Sequence, residues 1–488
     1  MECNIDDLPD VVLEYILSLI PPYKNLQECK LVSKRWFRAT KNVIQHNKTH
    51  FHKSVAYGSL LWSSWPSKHW MPTIAKRHSH SACTYENSMY VFGGCTATCT
   101  TFNDLWRLDL DTRKWVRLIT MGTYPSPKAC ATMLYYKKSF ILFGGWSHPA
   151  LYSQSRLFNE LHVYSIESNK WIAINTLETP PPTSAHSASI HKNCMIVFGG
   201  ICNGYRSNDV WCLNLDSYSW HKQVTSNLKP QPRYGQSQIE LGDKHLLILG
   251  GCTGPNVAMN DAWLLKMEGT AWTWKKVNMH NTEWAPTRIW CHQACKLLIS
   301  IIVLYFIFRQ GSVSHIDRDV NINGRHGSFS EISVQNPRPS HHLPNFTKNL
   351  TLCYDNMLSM TAFRNEPVRY DINSHRQRQL ESLRRMEESI RNRRTQSKSA
   401  KKTRNTLSIF VLDITNVLCD ECSASWIPLK HSDQSGPNER ILYSLVAGRG
   451  ELIVFGGIAK EYIQSHPDMD EPEVYNDLHF INPPRYVI

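Results

Sequence analysis

The sequence predicts a mostly β protein in which a repeated array of short strands follows a small helical module. Five Gly-Gly doublets each end a short apolar run; they begin at Gly93, Gly144, Gly199, Gly250 and Gly456. The first four doublets are 51, 55 and 51 residues apart. The segments between them alternate apolar with polar residues and are rich in β-branched and aromatic types, which is typical of strands. Such a period indicates a repeat architecture, in which each unit buries its apolar face against its neighbours.

Two further marks recur with the doublets. An Asn followed by an acidic residue precedes the next strand, and most units carry a Trp farther along. We call these Asn-acid pairs the corners; they are Asn103-Asp104, Asn159-Glu160, Asn208-Asp209, Asn260-Asp261 and Asn476-Asp477. The Trp residues are Trp115, Trp171, Trp220 and Trp272. A Gly pair suits a strand end that needs a positive φ, and an Asn-Asp pair suits a turn. The three marks together resemble the kelch repeat, which implies four-stranded blades of a β-propeller.

Counting the repeated units along the sequence predicts a ring of six blades. Units begin near Arg77, Lys128, His186, Arg233, Arg288 and Arg440. The fifth unit lacks a doublet, and we expect its outer part at 407–413 and 425–428. The sixth unit stops before its outer strand. Because a closed ring leaves no open strand edge, we expect residues 68–71 to supply that strand. The predicted fold is a six-bladed kelch β-propeller with an all-α module in front.

The first fifty residues have a different pattern. An acidic residue and Pro9 open a helix, and apolar residues then recur on one helical face. A second helical segment contains the sequence Leu31-Val32-Ser33-Lys34-Arg35-Trp36. The Leu8-Pro9 start and this second sequence resemble an F-box. So small a core argues for a helical partner or for packing on the next domain. The alternative is an ordinary helical cap on the propeller.

The F-box resemblance implies docking on the adaptor Skp1, and through it on the cullin-1 and RING subunits of a ubiquitin ligase. It assigns this contact to Leu8, Pro9, Val12, Leu13, Ile16, Leu17, Leu31, Val32 and Trp36. A kelch-repeat F-box protein would be the substrate-recognition subunit of a Skp1–cullin–F-box (SCF) E3 ligase. The competing interpretation is a non-catalytic kelch scaffold, cytoskeletal or nuclear, without a link to ubiquitination.

The sequence divides into five segments. We expect an F-box at 1–50, a linker with the closing strand at 51–76, blades one to four and part of blade five at 77–308, a basic insertion at 309–405, and the remaining strands at 406–488. The insertion carries 18 Lys and Arg against 9 Asp and Glu, and this composition predicts disorder. Its basic tract suits nuclear import, nucleic-acid contact or a merely solvated loop. Without interleaved aromatic residues, nucleic acid is an unexpected partner.

The end of each blade that carries the long loops is the predicted substrate face. Its candidate contacts are the cations Arg77, Lys128, Arg233, Arg288 and Arg440 and the aromatic residues Trp146, Tyr205 and Trp290. Five cations around a channel mouth would favour an acidic or phosphorylated protein segment. The alternative is that these cations are structural and hold the loops of the repeat together.

The sequence offers little catalytic chemistry. Cys419 and Cys422 have metal-type spacing but lack a second pair, and we find no nucleophile elbow or phosphate-binding loop. We therefore expect no catalytic residue, metal or cofactor.

The acidic opening is unlike a signal peptide, the 15 cysteines suggest reduced packing residues, and the apolar run at 297–308 is short for a membrane span. The expected location is cytoplasmic, nuclear or both, without membrane contact.

Overall fold

The computed structural model describes residues 5–65, 73–148, 155–254, 257–286, 289–297, 300–305, 406–428, 436–459 and 473–484. Within these ranges the chain is mostly β, and its α-helices lie in the first 56 residues. The predicted insertion at 309–405, the predicted closing strand at 68–71 and Arg288 lie outside the described residues.

Three α-helices form the N-terminal module: α1 (Asp10–Ser18), α2 (Lys24–Glu28) and α3 (Lys34–Ala56). Short 3-10 turns occur at Ile5–Asp7, Cys29–Leu31 and Thr282–Trp284. Pro9 stands at the N-cap of α1. The Oγ of Ser33 accepts a hydrogen bond from the Trp36 N–H at 3.2 Å, which caps the start of α3. The second predicted helical segment is therefore broken at Ser33, where a 23-residue helix begins.

Six antiparallel sheets make up most of the remaining described chain, and their strands are given from the inside outward. Sheet 1 contains Ser81–Tyr85, Ser88–Phe92, Leu105–Asp109 and Lys114–Leu118. Sheet 2 contains Thr132–Tyr136, Ser139–Phe143, Leu161–Ser165 and Lys170–Ile174. Sheet 3 contains Ser187–His191, Cys194–Phe198, Val210–Asn214 and Ser219–Gln223. Sheet 4 contains Ser237–Glu240, His245–Leu249, Ala262–Lys266 and Thr273–Lys276. Sheet 5 contains Gln293–Leu297, Ser300–Tyr305, Ser408–Asp413 and Ser423–Ile427. Sheet 6 contains Ser444–Ala447, Leu452–Phe455, Leu478–Asn482 and Leu61–Trp65.

Short strands complete the sheets and their loops. Met121–Gly122 and Asn278–His280 pair in parallel with the outer strands of sheets 2 and 5. The loop strands are Trp146–Ser147, Arg156–Leu157, Thr183–Ser184, Ile201–Cys202, Tyr205–Arg206, Cys252–Gly254, Val257–Ala258, Arg440–Ile441 and Ile458–Ala459. Buried apolar clusters fill the spaces between neighbouring sheets. This is the arrangement of a β-propeller.

The strand that completes sheet 6 lies earlier in the chain than the sequence analysis placed it. Leu61–Trp65 pairs antiparallel with Leu478–Asn482, and buried Trp62 stands opposite Ile481. Assigning this role to residues 68–71 is therefore wrong. The reason is the spacing of the repeat, because the other sheets leave a similar length of chain between an outer strand and the next inner strand. The connection at 66–80 resembles those at 119–131 and 224–236 in length.

A closed circuit of six backbone hydrogen bonds joins the inner ends of the sheets, and we call it the central ring. Its members are Ser79, Cys130, Ala185, Gly235, Cys291 and Leu442. Each N–H donates to the carbonyl of the counterpart in the preceding sheet, over 2.8 to 3.4 Å, and the N–H of Ser79 closes the circuit on Leu442. All six members have a positive φ. A Cβ on Gly235 would lie 2.8 Å from the sulfur of Cys291, which explains the glycine there.

The repeat marks occupy equivalent places in the sheets. Gly93 has a φ of 66°, and a Cβ there would lie 2.5 Å from the Lys128 carbonyl oxygen, so the doublets serve the close approach that the sequence predicted. Trp171 and Trp220 are buried in the outer strands of sheets 2 and 3. In sheet 4 this place belongs to buried Trp274, paired opposite Leu265, rather than to half-buried Trp272.

Candidate partner-binding faces

The helical module has a small core of its own. Leu13 and Leu17 of α1 pack against Leu26, Ala39 and Val43, and all five are buried. Leu13 and Leu17 were both assigned to the Skp1 contact by the sequence analysis. The structure places them in the core, because α1 uses its i, i+4 stripe to pack on α3.

Other residues of the same assignment lie on the surface. Leu31 is 84% exposed, Val32 is 62% exposed and Val12 is 39% exposed. Pro9 is also exposed, while Leu8, Ile16 and Trp36 are half-buried. Large exposed apolar residues of the module that the sequence analysis missed are Ile5, Val11, Tyr15, Leu19 and Phe37. Helical spacing could have found Val11 and Tyr15 on α1 and Leu19 at its C-cap, which follow one another four residues apart.

A shallow groove beside these apolar residues carries positive charge. It is lined by Lys30, Ser33, Lys34, Phe37 and Arg38. The helix that starts here, α3, contains no acidic residue along its 23 positions. The surface of the module therefore combines exposed apolar side chains with a basic edge.

A buried polar cluster fixes the helical module to sheets 1 and 6. The hydroxyl of Tyr23 donates to Oε1 of Glu451 at 2.5 Å, and Arg113 pairs with the same carboxylate at 2.9 Å. Arg113 also lies 3.9 Å above the ring of Phe480. Burial, and then the charge of Glu451, raise the pKa of Tyr23 well above its usual value. Tyr23 is thus neutral and able to donate.

Two further contacts hold the module in place. The backbone N–H of Lys24 donates to the carboxylate of Asp111 at 2.7 Å. At the far end of α3, buried Phe51 and Val55 pack in the cluster between sheets 5 and 6 with Leu407 and Leu452. The module therefore rests on the turns at 109–114 and 448–451, the ends of the strands opposite the Gly doublets.

The face of the Gly doublets carries the central ring and the long loops, and we call it the mouth. The predicted cations of the mouth are buried: Arg77, Lys128, Arg233 and Arg440 are each at most 1% exposed. They pair with the corner carboxylates of their own sheets, namely Asp104, Glu160, Asp261 and Asp477, at 2.5 to 2.7 Å.

This burial corrects the expectation of an exposed ring of positive charge. Burial works to raise the pKa of Asp104, but the hydrogen bonds and charge of Arg77 outweigh it and lower that pKa. Burial lowers the pKa of Lys128, and Glu160 opposes the shift. The four cations are neutralised where they lie, which fits the structural role that the sequence analysis left open. Direct ligand contact by them stays a prediction.

The fifth predicted cation is Arg288, which lies outside the described residues. The position equivalent to Arg77 in sheet 5 is held by buried Ile289, whose carbonyl accepts from Gly251 as the Lys128 carbonyl accepts from Gly94. The counterpart of Arg77 in this unit is therefore an apolar residue, next to the predicted Arg288.

The predicted aromatic contacts differ in exposure. Tyr205 is 59% exposed at the tip of a loop hairpin. Trp146 is half-buried at the start of its loop strand. Trp290 is half-buried and packs on the apolar cluster of Ile441 and Ile458. Tyr205 is thus the most available of the three to a ligand.

The described residues contain no group of three or more His, Cys, Asp or Glu that could hold a metal ion. The thirteen cysteines in the same ranges are free; of the pair that had metal-type spacing, Cys422 is buried and Cys419 is exposed. No helix in the described part of the chain is both long and apolar enough to cross a membrane.

Two family models match this chain. Residues 5–48 match the F-box domain, and residues 77–274 match the model described as FBX42, beta-propeller domain. The resemblance of this chain to kelch-repeat F-box proteins, and to F-box only protein 42 among them, is confirmed at this level.

Curated proteins match this chain over part of its length. Kelch domain-containing protein 2 of Bos taurus is 28% identical over 236 residues, covering 44% of this chain and 57% of its own length. The Leucine-zipper-like transcriptional regulator 1 homolog of Drosophila melanogaster is 27% identical over 207 residues, covering 42% and 21%. The chain thus spans less than two thirds of these relatives. The solved structure described as "Structure of YjhT" covers 83% of this chain and 95% of its own, at 14% identity and a TM-score of 0.47.

Proposed function

We propose, from the resemblance to kelch-repeat F-box proteins, that this chain is the substrate-recognition subunit of an SCF E3 ubiquitin ligase. The F-box would dock Skp1 and thereby the cullin-1 and RING subunits. A six-bladed propeller would hold the protein to be ubiquitinated. The chain would contribute no catalytic step of its own, and it would act in the cytoplasm, the nucleus or both.

The exposure of apolar side chains on the helical module carries this proposal. Leu31 and Val32 face solvent and take no part in the small core of the module. Contiguous apolar surface on a soluble protein marks an interaction site. A partner helix that covered these residues would also supply the additional core that so small a module needs.

The relation between the two faces supports the rest of the proposal. The module is fixed through Tyr23 and the end of α3 to the strand ends opposite the mouth. A protein held at the mouth would therefore keep a set position relative to a ligase docked on the F-box. Such an arrangement raises the rate of transfer through effective concentration rather than through chemistry in this chain.

The structure removes the reason to expect an acidic substrate. With Arg77, Lys128, Arg233 and Arg440 each paired to a carboxylate, the main argument for an acidic or phosphorylated segment is lost. The proposal is therefore a protein substrate, without a requirement for phosphate.

Affinity purification of the full chain from cells tests the proposal. The double variant Leu31→Asp/Val32→Asp places charge on the exposed apolar residues, and Leu177→Asp is the control, because Leu177 is fully exposed on the propeller. We expect the double variant to retain its propeller partners but to lose their ubiquitination, while the control keeps both. If partners are ubiquitinated equally with the wild type, the double variant and the control, the result would support the scaffold interpretation instead.

A further inference from the structure

Sheet 3 departs from its neighbours at one position of the mouth. In sheets 1, 4 and 6 the residue two before the central ring is an Arg that gives two hydrogen bonds to its corner Asp and one to a Gly carbonyl. The acceptor pairs are Asp104 with Gly93, Asp261 with Gly250, and Asp477 with Gly456. In sheet 3 the Arg is replaced by Thr183, while the corner acid Asp209 is retained.

The carboxylate of Asp209 keeps unused acceptor capacity. Within the described residues its only ion-pair partner is Lys222, 2.9 Å away, and these two side chains are 32% and 54% exposed. Asp104, by contrast, accepts two bonds from Arg77 and a third from the indole N–H of Trp106. Because a carboxylate offers about four lone-pair positions, Asp209 can accept further donors.

Two more acceptors flank the Gly doublet of sheet 3. Thr183 is 2% exposed, and its hydroxyl faces the sulfur of Cys202, so that it can donate there while its oxygen accepts from no group among the described residues; the oxygen lies 2.6 Å from the place of a Cβ on Gly200. Gln236 is 7% exposed, its amide lies against Gly199, and its amide oxygen has no donor in the same part of the structure. Gly199 is the counterpart of the glycines whose carbonyls accept from an Arg in sheets 1, 4 and 6.

We propose that this corner of sheet 3, formed by Thr183, Gly199, Asp209 and Gln236, receives an arginine side chain of a bound protein. The guest guanidinium takes the place that Arg77 holds in sheet 1. The inference deepens the proposed function and rests on it, since it names a group on the protein that the propeller selects. A guanidinium has five donors in a planar fork and matches a carboxylate in two parallel bonds, whereas lysine offers a point charge.

Two cations of the chain, Lys222 and Arg206, lie near the proposed site for the arginine side chain. Lys222 reaches Asp209 from the outer strand as a solvent-exposed pair, and such pairs are weak and readily exchanged. Arg206 lies against Gly254 of sheet 4, with its guanidinium 3.6 Å from the place of a Cβ on that glycine. The inference reverses the charge of the ligand that the sequence alone suggested.

Saturation-transfer NMR on the full chain tests the inference with two small probes. Acetyl-arginine amide carries the guanidinium, and acetyl-citrulline amide is its uncharged match. We expect transfer to the arginine probe, and a signal lower by about tenfold for the citrulline probe and for the Asp209→Asn variant. Thr183→Arg supplies the missing cation from the chain itself and should block the probe. Lys222→Gln removes the competitor and should strengthen binding.

Equal signals from the two probes, or an arginine signal unchanged in Asp209→Asn, would overturn the inference. Asp209→Asn is isosteric and partly exposed, so it decides the question even if Thr183→Arg does not fold. Capture of purified Skp1 by the same proteins separates this inference from the proposed function. If the wild type gives no arginine-probe signal but captures Skp1, the inference alone is refuted. If it binds the arginine probe but does not capture Skp1, the proposed adaptor role alone is refuted.

Discussion

The hydroxyl of Tyr23, in the helical module, donates a 2.5 Å hydrogen bond to Glu451, in a turn of sheet 6, and Arg113 of sheet 1 pairs with the same carboxylate. Three segments far apart in the sequence therefore meet at one buried group. Glu451 is 5% exposed, and its carboxylate accepts hydrogen bonds from both Tyr23 and Arg113. The relationship explains how a module with a very small core keeps a fixed place on the propeller.

Replacing Tyr23 with Phe should loosen this junction. The change removes one donor from a buried carboxylate, and we expect a loss of about 1–2 kcal/mol in the free energy of unfolding of the full chain. Tyr205→Phe is the matched control, because Tyr205 is exposed on the mouth. Urea unfolding followed by tryptophan fluorescence measures both variants. Identical midpoints for Tyr23→Phe and the wild type would show that the hydrogen bond contributes nothing to stability.

The corner ion pairs should contribute more to stability than ordinary surface pairs. Arg233→Met leaves Asp261 without its guanidinium, and breaking a buried pair in this way costs about 3–5 kcal/mol. The control is Lys138→Met, whose partner Glu167 is 70% exposed, and we expect a much smaller loss of stability because water screens an exposed pair. Thermal unfolding compares the two. Similar shifts in melting temperature would contradict a structural role for the buried arginines.

Acid should destabilise the propeller through its buried histidines. Burial lowers the pKa of His186 from 6.5 to about 3, and its Nε2 is bonded to the hydroxyl of Thr132. Above pH 6.5 this histidine is neutral in both the folded and unfolded states and adds no pH dependence. Between pH 6.5 and about 3 only the unfolded state takes up the proton, so stability falls as pH falls, by up to about 1.4 kcal/mol per pH unit.

The variant His186→Gln should make the stability of the chain less dependent on pH in that window. Exposed His221→Gln is the control and should leave the slope unchanged. The measurement is the free energy of unfolding in urea at pH 7, 6 and 5. A slope for His186→Gln as steep as that of the wild type would mean that other groups, such as buried His292 with its pKa of about 3, account for the acid response.

The repeat pattern predicted the sheets because its marks have local physical causes. Gly93 and its counterparts occupy a positive φ at a close backbone approach, so the sequence had to place glycine there. The strands at 408–413 and 423–427 also lie where strand-type residues resume after the insertion. The closing strand was misplaced because the length of the connection between sheets was not weighed. Leu61–Trp65 restores the spacing between outer and inner strands that the other sheets have.

The burial of the candidate site residues could not be predicted from spacing alone. Leu13 and Leu31 are equally apolar, and only the packing of α1 on α3 decides that Leu13 is buried and Leu31 exposed. The burial of the mouth cations could have been predicted from the sequence, because Arg77 is accompanied in its own unit by a carboxylate partner, the corner acid Asp104. The same comparison would have singled out sheet 3, which has a corner acid without a cation.

Leu13 and Leu31 should also respond differently to the same substitution. Leu13→Asp buries a charge in the core of the module, and we expect a loss of about 3 kcal/mol or more and unfolding of the three helices. Leu31→Asp adds charge to an exposed position and should change stability by less than about 0.5 kcal/mol. Far-ultraviolet circular dichroism and limited proteolysis of the full chain distinguish the two outcomes. Proteolysis of both variants at the same rate would contradict the different burial of the two leucines.

The most direct test of the account is the affinity of purified Skp1 for the purified full chain, measured by isothermal calorimetry. We predict measurable binding by the wild type and by the exposed-leucine control Leu177→Asp, and binding weakened by at least about tenfold in Leu31→Asp, because a charge would be buried at an apolar interface. Absence of binding by the wild type, or equal affinity of all three proteins, would contradict the assignment of these helices as an adaptor-docking surface.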